Sequence, residues 1–599
     1  MIINQAIAWP GVCAIAGNRS GVNDTIAQFV CADLEGGEQS GIHHYETIWA
    51  HDRLSQNIEC IGPMKQFDFV IVGAGTAGCV LANRLSAEAN VSVLVLEAGG
   101  SYRHPMLPFP MMGGLSYFIK STNWGYESAP EPHMNNRNIP WPRGKVLGGT
   151  SSINGMMYMR GHRWDYDNWA DLGLNGWSYD EVLPYFKYAE GHRERRDAYH
   201  GNDGPFVVSR AKSKNPLYEI FLEACRQAGH PQTDDFNGVQ QEGMGRQDFN
   251  IDKGRRVSTA TAYLAPVQER PNLEVITRAH VTRLVVENGS VNGVEYTLGG
   301  KGGDKITVRA AREVILCGGA INSPMLLQLS GIGDGRLLKS LGITVVADLP
   351  GVGANLHDHL GAYVQNNCLK PVTLYRLFRA DRAALALLRV WLFGDGPGAS
   401  IALEAGGFLR TRPDLNIPDV QITFIPGLSL DTTRAKQGKH GYLTHFYLAR
   451  PESRGQVAIR STDPFAGPGI ESNSLATEAD RRVMRDGVRL VRDIMAQNAF
   501  APYHGGEISP GTEVQSDDSI DAWIRANATT VWHPVGTCKM GTSDDAVVDA
   551  ELRLHGLTGL RVVDASVMPE IPAANTATPT IMIAEKAADM ILGRAPRTK

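Results

Sequence analysis

The chain has 599 residues, 43% of them hydrophobic and 20% charged, which is room for two or more cores of an ordinary globular enzyme. A formal net charge of −5 leaves no cationic surplus for nucleic acid. The eight cysteines are scattered with no CxxC pair, which argues against a disulfide framework or a zinc site, and no apolar run is long enough to span a bilayer.

Residues 1–63 differ in composition from the rest of the chain. Arg19 and Arg53 are their only Lys or Arg, against seven acids, a net charge equal to that of the whole chain. That composition fits neither a signal peptide nor a transit peptide. The expectation is that Met64 is the natural start, or that 1–63 is a loosely attached extension; a folded subdomain is the alternative.

Phe67–Val72 is a short, dense apolar run, as in a buried parallel strand. Gly73, Gly75 and Gly78 come next at GxGxxG spacing. An apolar helical face succeeds them, then a second buried run over Val91–Leu96, with Glu97 at its end. Strand, glycine turn, helix and strand ending in an acid form a dinucleotide-binding unit. The turn brings backbone N–H groups to a pyrophosphate at a helix N-terminus, and the acid accepts from a ribose hydroxyl pair. This motif does not distinguish NAD from FAD.

Tyr102–Arg143 reads as loop. Gly144-Lys-Val-Leu-Gly-Gly-Thr-Ser-Ser-Ile-Asn154 again suits close backbone approach to a cofactor. Helical patterns lie over Trp164–His192 and Asn215–Ala228. Leu273–Ile276, Val281–Val286, Val291–Tyr296 and Ile306–Arg309 alternate as antiparallel strands, and Glu313–Cys317 reads as a buried one before a helix at Ser323–Ser330. Ala383–Phe393 is apolar but for Arg389 and reads as a core helix, with a lid or interfacial helix as the alternative. Strands are predicted at Val420–Pro426, Leu443–Ala449, Gln456–Ile459 and Leu560–Val563. Helices are predicted at Ala476–Met495, capped by Thr477, and at Thr578–Leu592. Elements from both ends therefore share one sheet, with the middle inserted.

Four ordered segments resemble the glucose–methanol–choline (GMC) oxidoreductases over about Met64 to Arg594. They are Gly144–Asn154, Gly319-Ala-Ile-Asn-Ser-Pro-Met-Leu-Leu-Gln-Leu-Ser-Gly-Ile-Gly333, Trp532–Gly541 and Asn575–Lys586. Asn123-Trp-Gly and Glu404-Ala-Gly-Gly-Phe408 are similar to phrases of its choline dehydrogenases and aliphatic alcohol dehydrogenases. The resemblance implies an α/β fold, with a discontinuous Rossmann-like FAD-binding domain (64–160, 240–360 and 525–596). An α+β substrate domain built on an antiparallel sheet (161–239 and 361–524) completes it.

For the site, the resemblance implies His533 as catalytic base and Asn575 as hydrogen-bond donor to the substrate oxygen. Neutral imidazole suits removal of a hydroxyl proton while flavin N5 accepts a hydride. Gly73, Gly75, Thr76, Ala77, Gly78, Glu97 and Ala98 are expected at the ADP half of FAD. Gly148, Gly149, Thr150 and Asn154 are expected along the ribityl chain and flavin, Val281 at the adenine, and Trp532 and Asp564 as further contacts. Ile153 stands where some relatives carry a flavin-linking histidine, so FAD is expected to be non-covalent. His357-Asp-His359 reads as a structural turn and not a metal site, and no metal is expected; a Cys538–His533 dyad is likewise set aside.

The expected reaction is oxidation of a primary alcohol to the aldehyde. The alternatives are choline to betaine aldehyde, an O₂-using oxidase and, further off, non-redox lyase chemistry. Glu404 is the candidate substrate residue. An uncharged alcohol is favoured over choline because Leu403 replaces the aromatic residue that choline dehydrogenases carry before this acid. Expected partners are the alcohol and an electron acceptor, quinone or O₂, and no nucleic acid. The expected location is cytoplasmic, with a peripheral contact on the inner membrane as the open alternative.

Overall fold

A computed structural model describes residues 65–429 and 439–598, without the side chains of residues 115 and 378. The extension expected at 1–63 lies outside the described residues. In chain order the elements that frame the site are β1 (Gln66–Val72), α1 (Thr76–Leu85), β2 (Val93–Glu97), α2 (Arg163–Asp171), α3 (Tyr179–Ala189) and α4 (Pro216–Gln227). Next come β3 (Leu273–Thr277), β4 (Ala279–Glu287), β5 (Ser290–Leu298), β6 (Lys305–Leu316), α5 (Gly319–Leu329), β7 (Leu360–Cys368) and α6 (Ala380–Phe393). The last are β8 (Ala405–Leu409), β9 (Val420–Ile425), β10 (Gly441–Leu448), α7 (Glu478–Met495), β11 (His504–Ser509), β12 (Leu560–Val562) and α8 (Ala577–Ile591).

The first sheet runs β3-β2-β1-β6-β5-β4, with β12 beside the C-terminal half of β6. β1, β2, β3, the end of β6 and β12 are parallel, and helices cover them, which is why β2 is buried at every position. Two expectations change here. Leu273–Thr277 pairs parallel with Val93–Glu97 and not as part of the antiparallel set. The two strands expected at Ile306–Arg309 and Glu313–Cys317 are one 12-residue strand. Its alternating first half pairs antiparallel with β5 and its apolar second half pairs parallel with β1, so each half carries the pattern its neighbours demand. Helices α2 and α3, expected on the substrate side, bury Tyr166, Trp169, Val182 and Phe186 in this first core beside α8.

The second sheet is antiparallel, in the order β8-β9-β10-β7-β11. Its strands alternate. Val364, Phe424, Tyr442 and Phe446 enter a second core, where Phe424 stacks on Phe221 of α4 with ring centroids 4.7 Å apart. Tyr363, Gln365, Leu443 and His445 face the opposite way, into a cavity. α7 closes the core side, with the Thr477 hydroxyl accepting the Asp480 N–H at 3.2 Å.

Helix α6 forms where expected but is not a core helix. Only Ala386 and Val390 are buried, packed beside Gly398. Leu385, Leu388, Trp391, Leu392 and Phe393 are all exposed, Trp391 at 63% and Phe393 at 74%. Ala383 and Leu387 face the cavity, so the helix forms part of its outer wall.

A buried ion network ties α3 to the loops beneath the first core. The Arg160 guanidinium donates to Glu190 at 2.7 Å with both side chains buried. His200 bridges Glu190 and Asp235 through its two ring nitrogens at 3.1 and 3.0 Å. Burial opposes charge on His200, but the two carboxylates win and push its pKa up to about 9. A pKa above the unfolded value adds stability that is complete below about pH 6.5 and lost as pH rises through about 9. The loss should be on the order of 3 kcal/mol and should vanish in His200→Gln, which thermal unfolding of the two proteins between pH 6 and pH 10 would measure. A constant gap between them across that range would refute the network's role.

Candidate active site

The carboxyl ends of β1, β2, β6 and β12 meet at one edge of the first sheet, where a parallel sheet places its ligands. A cavity of about 2380 Å³ opens there and continues beneath the second sheet. Three helices, α1, α5 and α8, point their N-termini at it, and none carries an acid in its first turn. Asp564 caps the start of α5, whereas the positive ends of α1 and α8 suit an anionic ligand.

The glycines leave room by being bare. A Cβ on Gly73, whose φ is +99°, would lie 2.7 Å from the Cys317 carbonyl oxygen, and one on Gly149 would lie 2.7 Å from Gly75 Cα. A Cβ on Gly78 would collide with the Gly73 carbonyl, so Gly78 seats α1 against the turn and does not line the cavity. Gly148 also stands behind the wall, at φ +87°, donating its N–H to the Ala74 carbonyl at 2.7 Å. Gly73, Gly75, Thr76, Ala77, Glu97, Ala98, Gly149, Thr150, Asn154, Val281, Trp532 and Asp564 all line the cavity.

Glu97 is buried and accepts the N–H groups of Ala74 and Gly99 at 2.8 and 2.7 Å, while burial pushes its carboxyl up to about 7. Each oxygen keeps a lone pair for a further donor. Asp564 accepts Gly319 N–H at 2.8 Å and the Ser323 hydroxyl at 2.6 Å, anchoring the start of α5. Arg256 donates to the Asn154 carbonyl at 2.6 Å and to its Oδ1 at 2.9 Å. Ile153, buried with Leu107 and Val146, offers no nucleophile to a flavin. A nucleotide diphosphate with a large conjugated ring fits this cradle. Its bare glycines and the N-termini of α1 and α8 suit a diphosphate, and the buried acid suits a ribose.

His533 and Asn575 sit in the same cavity wall, 42 residues apart in sequence. Asn575 Nδ2 lies 3.1 Å from His533 Nε2, and Asn575 Oδ1 is buried with no hydrogen-bond partner among the described residues. The other ring nitrogen, His533 Nδ1, lies 3.0 Å from His359 Nδ1. The His533 backbone N–H donates to Asp358 Oδ1 at 2.6 Å, and Asp358 Oδ2 takes the Thr530 hydroxyl. Arg143 donates to the Trp532 carbonyl at 2.5 Å, holding Trp532 at a φ of +66°. Removal from water, then His359, Arg143 and His445, hold the His533 imidazole well below its ordinary range, so it is neutral at neutral pH.

Glu404 lines the cavity but is already satisfied. It accepts Ser213 N–H at 2.7 Å, Arg246 at 3.0 Å and the Ser400 hydroxyl. Arg246 in turn lies over the Tyr218 ring at 4.7 Å. The partners are therefore a guanidinium, a hydroxyl and an N–H distant in sequence.

Sequence reasoning sets aside the His357-Asp-His359 turn, although Asp358 and His359 both touch His533. The available signal is that doublet of histidines around an acid, which on sequence alone suggests only a metal site. Arg143 and His445 carry no local signal.

A dinucleotide cradle joined to a histidine-bearing cleft under an antiparallel sheet is the arrangement of a dinucleotide-dependent oxidoreductase. The GMC oxidoreductase N-terminal model matches residues 67–361 and its C-terminal model residues 451–584. The chain is 48% identical over 550 residues to an oxygen-dependent choline dehydrogenase of Ectopseudomonas mendocina, covering 89% of this chain and 95% of that one. A Burkholderia multivorans protein of the same description is 48% identical over 539 residues, covering 89% and 94%. Among solved structures, pyridoxine 4-oxidase from Mesorbium loti superposes with a TM-score of 0.80 at 32% identity, covering 88% of this chain and 100% of that one. Aspergillus oryzae formate oxidase gives 0.82 at 28%, covering 88% and 98%. The chain belongs to the GMC oxidoreductases. It is an FAD-dependent enzyme acting on CH–OH donors.

Proposed function

We propose that the enzyme oxidises an uncharged primary alcohol to the aldehyde, with His533 as the base and Asn575 as the donor to the substrate oxygen. The observation that carries this reading is the neutral His533 ring presenting Nε2 to the Asn575 amide in the cavity wall. Bound FAD supplies the hydride acceptor, at its N5. The alcohol displaces the Asn575–His533 hydrogen bond with its hydroxyl, which lies against both side chains. Its hydroxyl hydrogen goes to His533 Nε2, while the Asn575 N–H stabilises the charge that develops on oxygen. Asn575 Oδ1, without a partner of its own among the described residues, remains open to a donor on the ligand.

Gly73, Gly75, Thr76, Ala77, Glu97 and Ala98 would hold the ADP half of FAD, with Gly78 behind them seating α1 against the turn. Gly149, Thr150, Asn154, Val281, Trp532 and Asp564 would hold the remainder, without a covalent link, and Gly148 supports them from behind the wall. We assign 64–160, 240–360 and 525–596 to FAD binding and 161–239 with 361–524 to the substrate. The packing of α2 and α3 argues that 163–189 serves the FAD side.

Two features favour an uncharged substrate. Arg246 neutralises Glu404, the acid that would otherwise pair with a quaternary ammonium. Of the cationic side chains in the cavity wall, Arg210 and Lys212 pair with Asp234 and Glu194, while Lys214, Lys253 and Arg376 disfavour a cation. Choline is the second reading, favoured by the names of the relatives and by Glu404 itself.

No helix among the described residues is long and apolar enough to cross a membrane. The exposed apolar face of α6 beside Arg376 and Arg382, in the wall of the cavity, favours peripheral docking on an anionic bilayer. The site would be the cytoplasmic face of the inner membrane, with a quinone as electron acceptor and O₂ as the alternative.

His533→Ala should retain FAD and lose about two to four orders of magnitude in the anaerobic rate of flavin reduction by alcohol. A rate near wild type would overturn the base. For the substrate, kcat/KM for choline should fall below that for a medium-chain alcohol in the wild type and rise relative to it in Arg246→Gln. A strong choline preference that collapses in Glu404→Gln would reverse the choice. The protein should float with vesicles containing anionic lipid, and Trp391→Glu with Phe393→Glu should abolish this. Unchanged flotation of the double variant would remove α6 as the contact.

A further inference from the structure

His533 Nδ1 and His359 Nδ1 lie 3.0 Å apart, with the two rings nearly perpendicular. Two neutral imidazole nitrogens bond only when one carries the hydrogen and the other a lone pair. The far side of His359 decides which. Its Nε2 lies 3.1 Å from the Ala449 carbonyl oxygen, which can only accept, so His359 Nε2 carries the hydrogen. His359 is fully buried, and burial holds its pKa down at about 3, so it carries no second hydrogen and its Nδ1 is a lone pair. His533 must then donate from Nδ1, which leaves the lone pair on Nε2. Asn575 Nδ2 stands 3.1 Å from that atom as a donor, in agreement.

We propose that His359 is a positioning residue that fixes the tautomer of His533, reading the Ala449 carbonyl on one side and baring the His533 Nε2 lone pair to the cavity on the other. The inference rests on the reading of His533 as base. The opposite tautomer would set two lone pairs against each other at Nδ1 and turn an N–H of His533 against the N–H of Asn575, so every partner in the chain opposes it.

The residues before His359 hold the same apparatus from other directions. Asp358 accepts the His533 N–H at 2.6 Å, so it fixes the backbone of the residue whose ring His359 fixes. His357 bonds the Asn355 carbonyl through Nδ1 at 2.7 Å, which makes its Nε2 an acceptor. That Nε2 takes the N–H of Ile571 at 2.9 Å, in the segment leading to Asn575. One tripeptide thus holds the ring of the base, its backbone, and the approach to its partner.

Two variants of the FAD-loaded enzyme test this. His359→Phe keeps a buried ring and removes the acceptor; His359→Asn restores an acceptor near the position of Nδ1. Both should retain FAD and alcohol affinity. His359→Phe should reduce its flavin about 10- to 100-fold more slowly under anaerobic alcohol, and His359→Asn should recover most of that loss. ¹⁵N-histidine spectra, with His533 assigned by its absence in His533→Gln, should show His533 protonated at Nδ1 in the wild type and losing that state in His359→Phe. A wild-type His533 protonated at Nε2 would overturn the proposal. So would His359→Phe reducing its flavin at the wild-type rate, or equal losses in both variants with His533 still protonated at Nδ1. The spectrum reads His359 without turnover and the His533→Ala rate reads the base, so each reading can fail alone.

Discussion

Everything at the cofactor edge depends on backbone approaching backbone without an intervening side chain. β1 ends, the chain turns through Gly73, and α1 begins so close that Gly78 has no space for a methyl group. The same closeness recurs where Gly149 meets Gly75. These contacts hold the N-terminus of α1 at the carboxyl end of the sheet, where its free N–H groups face the cavity. A single Cβ at these points would move the helix, and with it the electrostatic floor of the site.

The first sheet is largely legible in the sequence because its signals are local. Phe67–Glu97 contains strand, turn, helix and strand within one short span, and each piece agrees with the next. The second sheet is only half legible. β9 and β10 are apolar and read as strands, but β7 and β8 do not. β7 carries Gln365, Asn366 and Asn367, and β8 is Ala-Gly-Gly-Phe-Leu, poor in strand-forming residues. The glycines of β8 are there because Cβ atoms at Gly406 and Gly407 would strike the Ile422 and Gly243 carbonyls. That reason exists only in three dimensions.

The candidate site shows the same division. Glu97 and the glycines announce themselves by spacing, and His533 and Asn575 by their likeness to a family. His359 lies 174 residues from His533, and no period or motif links the two. Helix α6 misleads in the opposite way. Its apolar pattern suggests a core, yet its larger side chains face outward, since periodicity reports that a helix has an apolar face and not what the face meets.

The turn that holds His533 runs straight into Leu360, the first residue of β7, which lies between β10 and β11 in the second sheet. His533, the base we propose, is therefore held by the sheet whose Tyr363, Gln365, Leu443 and His445 wall the cavity. If this sheet is the substrate wall, a substitution along β7 that widens the cavity would also disturb the turn that orients the His533 ring. Lineages that change substrate should do so first on α6 and the loops near Glu404, where the chain can vary without carrying the base along.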